Sequence, residues 1–301
     1  MYEAIVIGSG PAGLSAALYL KRAGKKVILI EKEYEGTGQI ARSICVDNYL
    51  GFRNISGEEL GDQFRQHVLE EQVEILEDEV TKLVGDEYWI VKLESGNQLE
   101  TKTLIYATGA EPRQLSVPGE QQYLGRGVSY CAYCDGSLYK GKDVAVVGGG
   151  DTALDDALYL SDLCNKVYLI HRREEFRGNA AVLDSIRSRE NIELLLNTMV
   201  SEVKGDKKTE AILLHDGRSI SVNGMFVAIG SKPATELIKS YVSVDENGYV
   251  LAGEDGITSA PGLFVAGDLR AKALRQVVTA VSDGANAAVS AIQYLKTDKR
   301  G

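Results

Sequence analysis

Cys131 and Cys134 stand three positions apart in Cys131-Ala132-Tyr133-Cys134-Asp135-Gly136. At that spacing two thiols close a disulfide and reopen it at little geometric cost, so the pair reads as a redox centre. Structural zinc uses the same spacing but takes four ligands. The other cysteines are Cys45 and Cys164 and the histidines His67, His171 and His215, with no second CxxC and no HxxxH, so ligand count speaks against a metal. Two packing cysteines are the remaining alternative, and the polar neighbours Ser129, Tyr133 and Asp135 weigh against it. Thiol exchange needs a thiolate and a proton donor or acceptor close by. His171 belongs to a nucleotide-binding stretch, and His67 and His215 fall in what reads as ordinary helix and strand. That leaves Asp135, next to Cys134, as the candidate for proton transfer. Cys164, at the end of an expected helix over 151–163, reads as a small packing residue, and Cys45 lies in the turn before Asn48-Tyr49.

Two further stretches could deliver electrons to the thiols. Ala4-Ile5-Val6-Ile7 reads as a strand, Gly8-Ser9-Gly10-Pro11-Ala12-Gly13 as a turn, Leu14 to Ala23 as a helix stopped by Gly24, and Val27 to Ile30 as a second strand ending at Glu31. Glycines at this spacing let backbone amides approach a pyrophosphate at the helix start, while the terminal acid accepts a bond from a ribose 2′-hydroxyl and repels a 2′-phosphate. The unit returns 140 residues later: Val146-Val147-Gly148 answers Val6-Ile7-Gly8, Gly150 answers Gly10, Asp151 and Thr152 follow, Ala153 answers Gly13, and Ala157-Leu158-Tyr159-Leu160 repeats Ala17-Leu18-Tyr19-Leu20. The specificity position again falls 18 residues on, but the acid has become His171, followed by Arg172, Arg173 and Arg177. Guanidinium groups there suit a 2′-phosphate, hence NADPH rather than NADH. The plainer reading is a solvated basic segment.

These stretches need scaffolds. A chain of 301 residues with 44% hydrophobic content suggests two domains with sizeable cores. The net charge of −10 argues against nucleic acid or an anionic membrane as partner, and no apolar run of 18 residues occurs. The start Met1-Tyr2-Glu3 has no basic leader, and four cysteines are too few for a disulfide scaffold, so the expected setting is cytoplasmic. Residues 56–72 are expected to form a helix with Leu60, Phe64 and Val68 on one face, and 74–83, 88–94 and 98–106 to form strands. Thr108-Gly109-Ala110 then closes the section, as Ile229-Gly230-Ser231 does after the second unit. Gly109 and Gly230 join the candidate cofactor residues of their units. Gly262 to Asp268 reads as a strand ending at Gly267 and Asp268, followed by a helix over about 276–295 that completes the first domain. The expected fold class is α/β, with two Rossmann-like, three-layer ββα dinucleotide-binding domains, the second inserted in the first: 1–113 and 242–301 around 114–241. Connectors are expected near 111–119 and 232–248, where Pro112, Pro118 and Pro233 fall.

The combination of Gly8 to Gly13, Gly38-Gln39, Cys131 to Gly136, Gly148 to Ala153, His171-Arg172-Arg173 with Arg177, and Gly267-Asp268 through Arg275-Gln276-Val277 resembles the low-molecular-weight, bacterial-type thioredoxin reductases over nearly the whole chain. The resemblance implies FAD in the first domain, with its pyrophosphate at Gly8 to Gly13, its ribose at Glu31, and further contacts at Gln39, Asn48, Asp268, Arg275, Gln276 and Val277. It implies NADPH in the second domain, Cys134 facing the flavin, Cys131 attacking a thioredoxin disulfide, and Asp135 moving the proton. It also implies a homodimer, and rotation of the NADPH domain about the connectors to present nicotinamide and dithiol to the flavin in turn. The chain departs from the usual family sequence at Thr37, Arg42 to Cys45, Leu50 and Ser282, and it ends Lys299-Arg300-Gly301 without the cysteine pair of the larger tail-relay reductases. Alternatives are a flavin-dependent dithiol oxidase, a reductase fed by ferredoxin, and a flavin-bound redox sensor. The intact Gly148 and Arg172-Arg173 features disfavour the first two.

Overall fold

The computed structural model describes residues 1–85 and 88–297, so the Lys299-Arg300-Gly301 tail lies outside the described residues. In chain order the elements are β1 (Tyr2–Ile7), α1 (Pro11–Arg22), β2 (Val27–Glu31), α2 (Gly57–Glu70), β3 (Glu74–Glu77), β4 (Val80–Gly85), β5 (Trp89–Leu93), β6 (Gln98–Tyr106) and β7 (Ala110–Pro112). There follow β8 (Val128–Ser129), α3 (Ala132–Asp135), β9 (Asp143–Gly148), α4 (Asp151–Ser161), β10 (Lys166–Ile170), α5 (Ala180–Arg187), β11 (Ile192–Leu195), β12 (Val200–Gly205), β13 (Thr209–Leu214), β14 (Ser219–Ser221) and β15 (Gly224–Ala228). The chain closes with β16 (Ser231–Pro233), β17 (Leu263–Val265) and α6 (Val277–Thr297). Among the described residues no helix is long and apolar enough to cross a membrane.

The chain divides into two compact units, Met1–Glu111 with Lys232 onward, and Pro112–Ser231. The second crossing thus lies at 231/232, ahead of residue 241. The reason is packing: Ile238, Val242 and Val250 are buried in one cluster with Ile5, Ile28 and Leu104 of the first unit.

In the first unit β3, β2, β1 and β6 run parallel in that order, and β17 pairs parallel with the second half of β6. Strand alternation sends Ala4, Val6, Val27, Leu29 and Ile105 to one face, against α1 and α6. It sends Ile5, Ile7, Ile28, Ile30 and Leu104 to the other, against the antiparallel strands β4 and β5. Helix, sheet and ribbon are therefore three layers. The expected strand over 74–83 is two strands at opposite ends of the sheet. At Asp78 the amide still donates to Glu31 O (2.9 Å), after which the Asp78 carboxylate accepts from Glu79 N (2.8 Å) and the chain turns away.

The second unit repeats the plan. Its parallel sheet runs β11-β10-β9-β15-β8, with Val144, Val146, Val167 and Leu169 facing α4 and α5, and Ala145, Val147 and Ile170 facing the antiparallel β12-β13-β14 ribbon. His215 lies in the turn after β13, not within a strand, and His67 lies in α2.

Candidate active site

The thiol turn is built on the edge strand β8 of the second unit. Ser129 ends that strand, and its hydroxyl accepts from Cys131 N (3.0 Å) while donating to Asp135 Oδ2 (2.6 Å). Cys131 caps α3, the Asp135 amide donates to Cys131 O (3.2 Å), and Cys131 and Cys134 are joined as a disulfide with their Cα atoms 5.3 Å apart. The Cys134 amide donates to Cys131 Sγ at 3.1 Å. Cys131 is half-buried and Cys134 exposed. Burial pushes the Asp135 carboxyl above the usual carboxylate range, against the Ser129 hydrogen bond, so it holds a proton to higher pH than a solvated aspartate. The turn is fixed on α4 of its own unit: the Tyr133 ring stacks on Tyr159 at 4.4 Å, and a Cβ at Gly136 would stand 3.0 Å from Leu160 and Tyr159 side-chain atoms. Cys164 is buried, and burial followed by the Asp143 charge pushes its thiol up to about 11, as suits a packing residue. Cys45 is half-buried, its sulfur 4.0 Å from Asn54 Oδ1.

In the first unit the glycines bring backbone against backbone at the start of α1. A Cβ at Gly13 would stand 1.8 Å from Gly8 O, and one at Gly38 would stand 2.9 Å from Gly10 Cα. Gly10 caps α1 without a side-chain bond, Pro11 takes the first helical position, and the first turn holds no acid, which leaves the positive end of the helix open to an anion. Glu31 Oε2 accepts from Ser9 N (2.8 Å) and lies 2.6 Å from Ser9 Oγ, and Oε1 accepts from Glu33 N (3.1 Å). With about four acceptor sites on a carboxylate, capacity for a ribose hydroxyl remains. The Gln39 side-chain amide donates to Ala110 O, beside Gly109.

The turn after β17 completes this region. Asp268 is held there with Oδ1 buried and without a hydrogen-bond partner among the described residues, and Lys272 Nζ stands off at 3.5 Å. Burial raises the Asp268 pKa, while Lys272 and Arg275 pull it the other way. Arg275 lies over the Tyr249 ring at 4.0 Å and donates to Asp268 O (3.2 Å), Asn48 Nδ2 donates to Gln276 Oε1 (2.9 Å), and Val277 begins α6. Gly267 N is held by Asp283 Oδ2 at 3.1 Å. An open helix end, a backbone cradle that side chains would fill and a buried carboxylate oxygen with an ion pair but no hydrogen bond together fit a dinucleotide.

The second unit's glycine turn is similar in outline and different in charge. Gly150 caps α4 with no side-chain bond, Asp151 Oδ1 accepts from Asn179 N (2.7 Å), and Thr152 is exposed beside it. Ala153 is buried at the third glycine place, where a Cβ on Gly148 would come within 2.6 Å of its own. His171 is only 5% exposed; its ring stacks on Phe176, its Nε2 lies 3.0 Å from Glu175 O, and a Cβ on Gly149 would stand 2.1 Å from its ring. It therefore props the turn from beneath. Burial, then Arg177, Arg173 and Arg172, lower its pKa and keep it neutral at pH near 7. Arg172, Arg173 and Arg177 are exposed and form no ion pair among the described residues, whereas Arg187, Arg189 and Arg218 all do. Gly230 follows β15, and its carbonyl accepts from Arg113 N at 2.9 Å.

The residues whose roles carry no signal in the sequence are the ones that hold others in place: Ser9 on Glu31, Ser129 on Asp135, and Lys272 and Asp283 beneath the turn of Asp268. A serine between two glycines and one two residues before a cysteine were visible in the sequence, but their partners were not. Among the described residues no cluster of metal-ligating side chains forms.

The pyridine nucleotide-disulphide oxidoreductase family pattern matches residues 2–284. The chain is 39% identical to the thioredoxin reductase of Treponema pallidum, over 98% of each chain. It is 37% identical to that of Mycoplasma genitalium, over 95% of this chain and 93% of the relative. The crystal structure of thioredoxin reductase from Streptococcus pyogenes superposes with a TM-score of 0.93 at 37% identity, covering 98% of both chains. Repeated glycine turns, a CxxC disulfide beside a half-buried aspartate and full-length similarity converge: this chain belongs to the pyridine nucleotide-disulphide oxidoreductase family, among its thioredoxin reductases.

Proposed function

We propose that the chain is an NADPH-dependent thioredoxin reductase that passes electrons through FAD and the Cys131–Cys134 pair to oxidised thioredoxin. The observation that carries this is the closed Cys131–Cys134 disulfide with Asp135 tied beside it through Ser129. FAD, when bound, accepts a hydride from a nicotinamide and hands on an electron pair. Gly8, Gly10, Pro11, Ala12 and Gly13 would hold its pyrophosphate, Glu31 its ribose, and Gly38, Gln39, Asn48, Gly109, Gly267, Asp268, Arg275, Gln276 and Val277 the remainder. Gly148, Gly150, Asp151, Thr152, Ala153 and Gly230 would cradle NADPH, with Arg172, Arg173 and Arg177 on its 2′-phosphate and His171 supporting the turn.

Once the pair is reduced, the Cys134 amide that points at Cys131 Sγ favours a thiolate there. That thiolate attacks one sulfur of the thioredoxin disulfide, forming a mixed disulfide and expelling a thiolate that takes up a proton. Cys134 then attacks Cys131 Sγ, the mixed disulfide breaks, and a second protein thiol leaves. Two electrons and two protons pass to thioredoxin, and Asp135 supplies protons at the turn. The enzyme acts in the cytoplasm as a homodimer.

The test compares NADPH with NADH as donor for oxidised thioredoxin, in the wild type and in Arg172→Ala/Arg173→Ala. Two charge-assisted contacts correspond to a preference for NADPH of about a hundredfold or more in kcat/KM, lost in the double variant. Equal use of both nucleotides by the wild type would contradict the assignment.

A further inference from the structure

Glu120 is 1% exposed, yet it makes no ion pair among the described residues. Its carboxylate instead accepts three hydrogen bonds. Oε1 takes the Leu115 amide (2.9 Å) and the Tyr130 hydroxyl (3.0 Å), and Oε2 takes the Ser116 amide (2.6 Å). The two amides belong to the first connecting segment, where Ser116 sits in the left-handed region at φ 59°. The hydroxyl belongs to the residue immediately before Cys131. Gln121 Nε2 adds a bond to the same hydroxyl at 3.2 Å, so the Tyr130 ring is held from two sides. A buried carboxylate costs several kcal/mol unless hydrogen bonds satisfy it. Here the donors come from both sides of Glu120 in the chain, two amides from before it and one hydroxyl from after it, and meet at this side chain.

We infer that Glu120 is a positioning residue for the redox pair: through Tyr130 it anchors the entry to Cys131 on the connecting segment and so sets how readily Cys131 and Cys134 close. The physical route is preorganisation. Closing the disulfide requires the two thiols to be held near each other, and a fixed Tyr130 raises the effective concentration of one at the other. Ser129 and Asp135 anchor the turn on its strand side, and Tyr133 on Tyr159 anchors it on α4. The Glu120–Tyr130 bond is the anchor on the entry side.

The exchange that reads this is balanced: the dithiol plus oxidised glutathione gives the Cys131–Cys134 disulfide and two molecules of reduced glutathione. The inference rests on the pair being the redox couple. The experiment equilibrates the full flavin-loaded chain, without nicotinamide nucleotide, in glutathione buffers, quenches with an alkylating reagent and quantifies the peptide carrying both cysteines by mass. Wild type, Glu120→Gln and Tyr130→Phe are compared, with thermal midpoints recorded separately. Tyr130→Phe removes one oxygen and keeps the ring, so it decides alone if Glu120→Gln does not fold. Loss of a hydrogen bond to a charged acceptor corresponds to a shift of the equilibrium toward dithiol of about tenfold in both variants. Variants with lowered thermal midpoints but an unmoved equilibrium, or one moved toward disulfide, overturn the inference. A wild-type pair that does not exchange at all would instead defeat the redox assignment.

Discussion

Replacing Asp156 by asparagine should stabilise the protein, and by more as pH rises. Asp156 lies on α4, 6% exposed, and no hydrogen bond or ion pair reaches its carboxyl among the described residues. Burial, with the Asp155 charge adding to it, pushes its carboxyl up to about 7 from an ordinary 3.8. In that window the folded chain keeps a proton that the unfolded chain has released, so stability is full below the ordinary value and falls as pH climbs toward 7. Each pH unit across it is worth about 1.4 kcal/mol, so the loss has a ceiling of about 4 kcal/mol above pH 7. An asparagine of nearly the same shape never ionises and does not lose it. Urea denaturation of wild type and Asp156→Asn at about pH 5 and about pH 8 should show the variant's advantage growing by about 3 kcal/mol or somewhat less, other titrations cancelling between the two proteins. An advantage independent of pH, or a variant less stable at the higher pH, would mean that Asp156 does not keep its proton in the folded protein.

Other substitutions probe other joints. Gly13→Ala should yield protein with little or no retained flavin, because the added methyl meets the Gly8 carbonyl; absorbance at purification reads this directly. Asp135→Asn should slow thioredoxin reduction about a hundredfold, as loss of a general acid does. Because the Asp135 pKa is raised, wild-type rate should fall as pH rises through that value, and the variant's profile should be flat there. Asp283 joins Arg270 (2.8 Å), Lys272 (3.0 Å) and the Gly267 amide, so Asp283→Asn should loosen the turn that carries Asp268 and weaken flavin affinity about tenfold, measured by quenching of free flavin fluorescence.

The parts legible in the sequence are those where local chemistry leaves few choices. A glycine turn between a strand and a helix, repeated with Ala153 in the third glycine place, announces two like units because backbone can approach backbone only there. The thiol pair and Asp135 are contiguous, and the structure keeps them together. Less legible is whatever depends on contacts distant in sequence. Nothing local in 74–83 marks Asp78 as the point where one strand becomes two, since the pairing with β2 ends there, at Glu31 O, and β4 pairs with β5 at the other end of the sheet. The second crossing hides for the same reason: Ile238, Val242 and Val250 look like any apolar residues until their core is known. His171 occupies the specificity position by count, yet its ring is packed under Gly149, while the neighbouring arginines stay exposed. Glu120 is hidden for another reason: its three donors lie within ten residues of it, but it carries no motif, and nothing local marks the left-handed Ser116 turn that brings them to one carboxylate.

On the proposed function, electrons run through Cys131 and Cys134 to thioredoxin. The most direct measurement adds one equivalent of NADPH anaerobically to the flavin-loaded protein, quenches with an alkylating reagent, and determines which cysteines are labelled before and after oxidised thioredoxin is supplied. NADPH should make Cys131 and Cys134 alkylatable and thioredoxin should reverse this, with Cys45 and Cys164 unchanged throughout. A pair that stays oxidised after NADPH, or stays reduced in the presence of oxidised thioredoxin, would contradict it.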